Sequence, residues 1–183
     1  EGLLERLEAS SEAPYRRLMD RLEGELATHF DRPRDRLRPW HHADRFHQQL
    51  SGELPELEAS FDPDTIESCT RATYAALGLP IDGIWRRSDL WPRPGKQPHA
   101  FTLAIDAPRD VRVLANLEGS ARWMATLLHE FGHAVLDAGL PAELPPLMRQ
   151  PAHPLVTEAV AIRMGRLVHD PAWLTGVAGV PAD

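Results

Sequence analysis

At 183 residues the chain is long enough for one well-packed domain, or one domain with an appended helical piece. Its 43% hydrophobic and 26% charged residues exclude wholesale disorder and a fibrous protein, and a formal net charge of −7 argues against nucleic acid as a partner. A single cysteine, Cys69, excludes an intrachain disulfide framework, and no apolar run approaches the roughly 20 residues that span a bilayer, so no membrane partner is expected.

The chain begins at Glu1 rather than Met, as a processed, tagged or trimmed chain does; with no signal peptide visible, cytoplasm is the expected compartment. Leu18, Leu22, Leu26 and Phe30 form an i, i+4 stripe, which predicts an amphipathic helix from about Pro14 to Phe30. Pro14 suits its first turn. Pro33 and Pro39 then break the pattern. The arginines at 32, 34, 36 and 38 alternate with Asp31, Asp35 and these prolines, as in a solvated loop. A short helix is expected over Ala43–Leu50, ended by Gly52 and Pro55. Asp62 before Pro63 is an N-cap signal for a helix reaching Leu77, with Cys69 as a buried, inert thiol on its inner face.

After Pro80 the pattern changes. His99–Asp106 and Asp110–Leu117 alternate and carry β-branched or aromatic residues, so they read as an antiparallel hairpin turning at Ala107–Arg109. Trp85–Trp91 is a candidate further strand, and Pro92–Lys96 a loop. Two helices close the chain, over about Ser120–Ala138 and Pro154–His169, joined by a proline-rich connection. Trp85, Trp91 and Trp123 are expected in the core. The fold class is α+β and mostly helical, with a helical N-terminal part at 1–80 and a catalytic part at 81–183, expected to form one compact unit.

The chemistry lies in His129-Glu130-Phe131-Gly132-His133. Histidines at i and i+4 project from one helix face, which places both imidazoles on one tetrahedral ion. Glu130 lies too far round to be a third ligand and faces instead a water on the metal. Zinc lowers the pKa of such a water to about 7, and a neighbouring carboxylate can take its proton and return it to a leaving amine. Gly132 lets another segment approach the helix closely. With nine histidines, a chance match to this pattern is on the order of a few per cent, against the alternative of two surface histidines flanking a glutamate. Glu158, among Val, Ala, Leu and Ile on the next predicted helix, supplies a third ligand. A buried carboxylate there needs a cation, and a His₂Glu set leaves one position open for chemistry.

The histidine pair followed by Glu158 resembles the gluzincin zinc metallopeptidases, in particular the bacterial angiotensin-converting-enzyme-like and the oligoendopeptidase F-like (thimet oligopeptidase-like) families. Gly95–Phe101, Val111–Leu117, the helix through Trp123–Asp137 and Pro151–Ala159 carry the likeness, which spans roughly residues 14 to 178. It implies a zincin-like core with two zinc-bearing helices. It also implies a strand that borders the cleft and pairs with substrate main chain, which makes His99, Ala100 and Phe101 the substrate-side candidates. Read without the resemblance, His99 is an ordinary residue at a strand start. The likeness departs in length and at Ile162, where many relatives carry an acidic residue that orients a zinc histidine. The oxyanion-stabilising tyrosine and histidine of those families follow the zinc glutamate, whereas Tyr15 and Tyr74 precede it here.

Other histidines are set aside: His41, His42 and His47 do not share a helix face, His153 stands near the second zinc helix where it could meet substrate, and His169 suits a helix C-terminus. The expected function is zinc-dependent hydrolysis of peptide bonds, with His129, His133 and Glu158 as ligands and Glu130 as general base. The alternatives are a zinc enzyme acting on a small non-peptide metabolite, and a shortened zinc-binding module completed by self-association or a second chain.

Overall fold

The computed structural model describes residues 2–42, 57, 60–151 and 153–180, and the chain divides into two compact units, Glu1–Glu53 and Leu54–Asp183. The expected helix over Ala43–Leu50, its stop at Gly52 and Pro55, and His47 lie outside the described residues.

The first unit holds helix α1, Gly2–His29, and two single 3₁₀ turns, Arg34–Arg36 and Pro39–His41. The helix starts twelve residues earlier than the periodicity predicted and runs straight through Pro14. Proline removes one helical N–H and leaves a carbonyl one turn back without its donor. No residue of α1 is buried, so water can take that carbonyl, and helix-forming Leu, Glu and Ala on the N-terminal side extend the helix. Past its end, the chain folds back locally: Phe30 meets the His41 ring edge-on at 4.9 Å.

The second unit is built around one helix. Helix α2, Pro63–Ala76, begins as predicted, with Asp62 accepting a hydrogen bond from the Thr65 amide at 2.7 Å and Pro63 in the first turn. Helix α3, Asp82–Arg87, occupies part of the segment read as a strand. Ile81, Ile84 and Trp85 recur at helical spacing and are all buried, and this outweighs the β preference of Ile and Trp. Only beyond it does the chain extend, with Asp89 bridging Leu114 in parallel and Ser88 accepting from the Val113 amide at 2.8 Å. Arg71 of α2 pairs with Asp82 of α3 and lies over the Trp85 ring at 4.8 Å.

Strands β1, Phe101–Asp106, and β2, Asp110–Leu114, form the expected antiparallel hairpin, in the register Thr102 to Val113 and Ala104 to Val111. Both are shorter than predicted. His99 and Ala100 precede β1, and Ala115 and Leu117 leave β2 to bond Asp89 and Leu90. Helix α4, Ala121–Ala138, is capped by Ser120, which accepts from the Trp123 amide at 3.1 Å. Its inner face (Met124, Leu127, Leu128, Phe131) is fully buried and packs against α2, both strands and helix α5, Pro154–Gly165. Trp85 stacks on Phe131 with ring centres 5.2 Å apart.

After Gly165 the second predicted helix tightens into a 3₁₀ turn, Arg166–His169, and helix α6, Pro171–Gly176, follows it. Asp170 before Pro171 repeats the cap chemistry of Asp62 before Pro63; its carboxylate accepts from the Ala172 amide at 2.8 Å. Trp173 of α6 is buried and donates to the Thr73 hydroxyl at 2.9 Å. Of the tryptophans expected inside, Trp85 is buried and Trp123 packs partly against the core, but Trp91 is 48% exposed beside the Pro92–Lys96 loop. That loop is held by Lys96, whose buried ammonium donates to the Asp89 carboxylate and to the Asp89 and Trp91 carbonyls. The unit is therefore mostly helical with one small antiparallel sheet, and no described helix of the chain is long and apolar enough to cross a membrane.

Candidate metal centre

Two helices meet at an unusually close crossing. A Cβ placed on Gly132 of α4 would stand 2.9 Å from the Ala161 Cα of α5, and one on Gly165 would stand 3.3 Å from the His129 Cβ. Small residues on both sides let the backbones approach, and this brings Glu158 of α5 over the histidines of α4.

One ligand atom from each of His129, His133 and Glu158 lies within 4.8 Å of the others, and among the described residues no other trio of metal-binding side chains comes together. The two Nε2 atoms are 3.2 Å apart, and the carboxylate oxygens of Glu158 are 3.7 Å from His129 Nε2 and 3.5 Å from His133 Nε2. Three ligands bound at about 2.0–2.1 Å to a tetrahedral ion stand about 3.3 Å from one another, so the trio fits a single cation. Burial pushes His129 below the ordinary imidazole range, with Glu130 and Glu158 opposing it. That favours the neutral ring a metal requires. Two neutral nitrogens and one carboxylate suit a divalent ion of intermediate softness.

Glu130 is buried, 8% exposed. Its Oε2 lies 3.0 Å from the Thr102 hydroxyl of β1, which is also 2.8 Å from the Glu130 backbone carbonyl. This partner was missed in the sequence, where nothing connects two positions 28 residues apart. A cavity of about 580 Å³ opens over the trio, in the size range of small-ligand sites, lined by Phe101, Thr102, Glu130, Asp137, Arg149 and Glu158 among others. Phe101 thus faces the cavity, while His99 and Ala100 are not among its lining residues.

Ile162, 49% exposed, supplies no carboxylate at its position. Asp137, one turn beyond His133 on α4, is a half-buried carboxylate in the cavity wall; burial raises its pKa and the His133 charge opposes that rise. Arg149 was also unsuspected. Its guanidinium donates to the carbonyls of Ala107, Ala142 and Leu144, tying the proline-rich connection to the hairpin turn. Tyr74 does not line the cavity; it is buried and donates to the Leu128 carbonyl, and Tyr15 is exposed on α1 of the other unit. His153 is the N-cap of α5, accepting from the Leu155 amide at 3.0 Å, and His169 ends the 3₁₀ turn.

No curated protein matches the chain. Residues 3–159 match the family model described as carboxypeptidase Taq (M32) metallopeptidase, from α1 to just past Glu158. The match supports the metallopeptidase expectation in general, under a family name other than the two whose motifs the sequence resembles. The chain belongs to the carboxypeptidase Taq (M32) metallopeptidase family.

Proposed function

We propose that the protein is a zinc-dependent peptidase, with His129, His133 and Glu158 as the metal ligands and Glu130 as the general base. The family name adds that cleavage proceeds from the substrate's C-terminal end. The observation that carries the reading is the meeting of three ligand atoms within 4.8 Å beside a buried carboxylate. Zinc, when bound, supplies a Lewis acid and lowers the pKa of water at its open position.

The remaining work falls to the chain. Glu130, adjacent to His129 and shielded from solvent, takes a proton from the attacking water and delivers it to the departing amine. Among the described residues strand β1 pairs with β2 on one side only, and Phe101, Thr102, Ala104, Ile105 and Asp106 contribute to the cavity wall. A substrate peptide lying antiparallel along β1 would gain main-chain hydrogen bonds there. A peptide is accordingly the partner proposed.

The test pairs metal content by mass spectrometry with hydrolysis of a mixed peptide library, for wild type and Glu130→Gln. One zinc per chain in both, with turnover about 10²–10⁴-fold lower in the variant, is the expected result. One zinc with no cleavage by wild type would transfer the site to a small non-peptide substrate. Absence of zinc would remove the proposal altogether.

A further inference from the structure

Given Glu130 as general base, as proposed above, we infer that Thr102 is a positioning residue that locks one oxygen of its carboxylate and leaves the other to carry the proton. Among the described residues, the Thr102 hydroxyl supplies the one side-chain hydrogen bond to that carboxylate, at 3.0 Å to Oε2. The same hydroxyl reaches the Glu130 carbonyl at 2.8 Å. One O–H is therefore shared between the main chain and the side chain of a single residue, fixing where α4 stands against β1 and which way the carboxylate turns.

The hydroxyl is itself held firmly. Thr102 stands opposite Val113 in the hairpin, and Val113 is buried with its amide bonded to Ser88. As a β-branched residue, Thr102 has few side-chain rotamers in a strand, so its hydroxyl has little freedom to leave Glu130. Oε2 is consequently occupied, and Oε1 is the oxygen available for proton transfer. A base that must otherwise be oriented in each cycle is oriented in advance, and this lowers the barrier without altering substrate binding.

Thr102→Val keeps the branched shape and removes the O–H, and Thr102→Ser keeps the O–H. With zinc-loaded protein, Thr102→Val is expected to lower kcat about 10–100-fold at unchanged KM and unchanged zinc content, and Thr102→Ser to restore most of the rate. An unchanged kcat in Thr102→Val overturns the inference. So does a loss in which KM rises, zinc retention falls and the serine fails to rescue, because that is the pattern of a purely structural contact. Crystal structures of zinc-loaded wild type and Thr102→Val decide the matter independently of turnover. A Glu130 carboxylate displaced in the valine variant supports the positioning role, and one that has not moved removes it. Glu130→Gln, assayed alongside, separates the two levels: a wild type that cleaves no peptide defeats the peptidase reading, while the crystallographic comparison still judges Thr102.

Discussion

Helices α4 and α5 deliver parts of one site from opposite circumstances. Along α4 the residues around the histidines are buried, with Leu127, Leu128 and Phe131 fully enclosed on either side of His129. On α5 only Ala161 and Met164 are buried, while Leu155, Val156 and Ile162 face solvent and Glu158 itself is 49% exposed in its side chain. The imidazoles and the Glu130 carboxylate are thus set by core packing, whereas the Glu158 carboxylate is set by one backbone crossing at Gly132 and Ala161. Site geometry on α4 and fold stability are the same property; on α5 they can be separated.

Core substitutions break the contrast most strongly. Phe131→Ala should cost about 3–5 kcal/mol in urea unfolding, since it empties the space between Trp85 and Tyr74. Ile162→Ala on α5 should stay within about 0.5 kcal/mol. Equal losses in the two variants would show that α5 is packed as tightly as α4. Gly132→Ala comes next. The added methyl would stand 2.9 Å from Ala161, and the resulting overpacking should cost about 1–3 kcal/mol despite roughly 1 kcal/mol gained in helix propensity. It should also weaken metal retention in a chelator competition, and retention equal to wild type would mean that the crossing does not set Glu158.

The smallest effect concerns Tyr74, whose hydroxyl holds the Leu128 carbonyl just before the motif. Tyr74→Phe should cost about 1 kcal/mol at neutral pH. Burial pushes the Tyr74 phenol far above its ordinary 10.0 and the Cys69 thiol above 9.0. The folded protein keeps these protons where the unfolded chain releases them, so stability present below pH 9 declines as the pH passes those ordinary values. Thermal unfolding across pH 8 to 11 should show this decline, with the part above pH 10 missing in Tyr74→Phe. An identical slope in the variant would show that Tyr74 does not contribute.

Legibility followed distance along the chain. The caps at Asp62 and Ser120 and the i, i+4 histidines are local relations spanning three or four residues, and a single turn of helix determines them. Segment 85–91 reads as a strand because Trp favours strands on its own, while the spacing of Ile81, Ile84 and Trp85, which begins before the segment, asks for a helix. The periodicity places the start of α1 too late, because Pro14 suits a first turn and yet an exposed helix can carry it inside. Asp170 before Pro171 carried the signal for α6, as Asp62 did for α2. The bond from Thr102 to Glu130 could not have been read: it depends on how β1 lies against α4, which is decided by Val113, Leu127 and the rest of the core together.

The crossing of α4 and α5 has a consequence for the unfolded chain as well. An ion gripping His133 and Glu158 ties two points separated by the whole proline-rich connection, as a removable cross-link would. A lasting link there would close a ring of about 25 residues, a restriction equivalent to about 3–4 kcal/mol in a flexible unfolded chain, whereas an ion that binds only the folded site would stabilise through its binding energy and leave the unfolded ring open. Pro141, Pro145, Pro146 and Pro151 already stiffen that ring, so part of this restriction is written into the covalent chain before any ion arrives. The proline-rich connection is thus half of a clasp, narrowing the search by which Glu158 finds the two histidines.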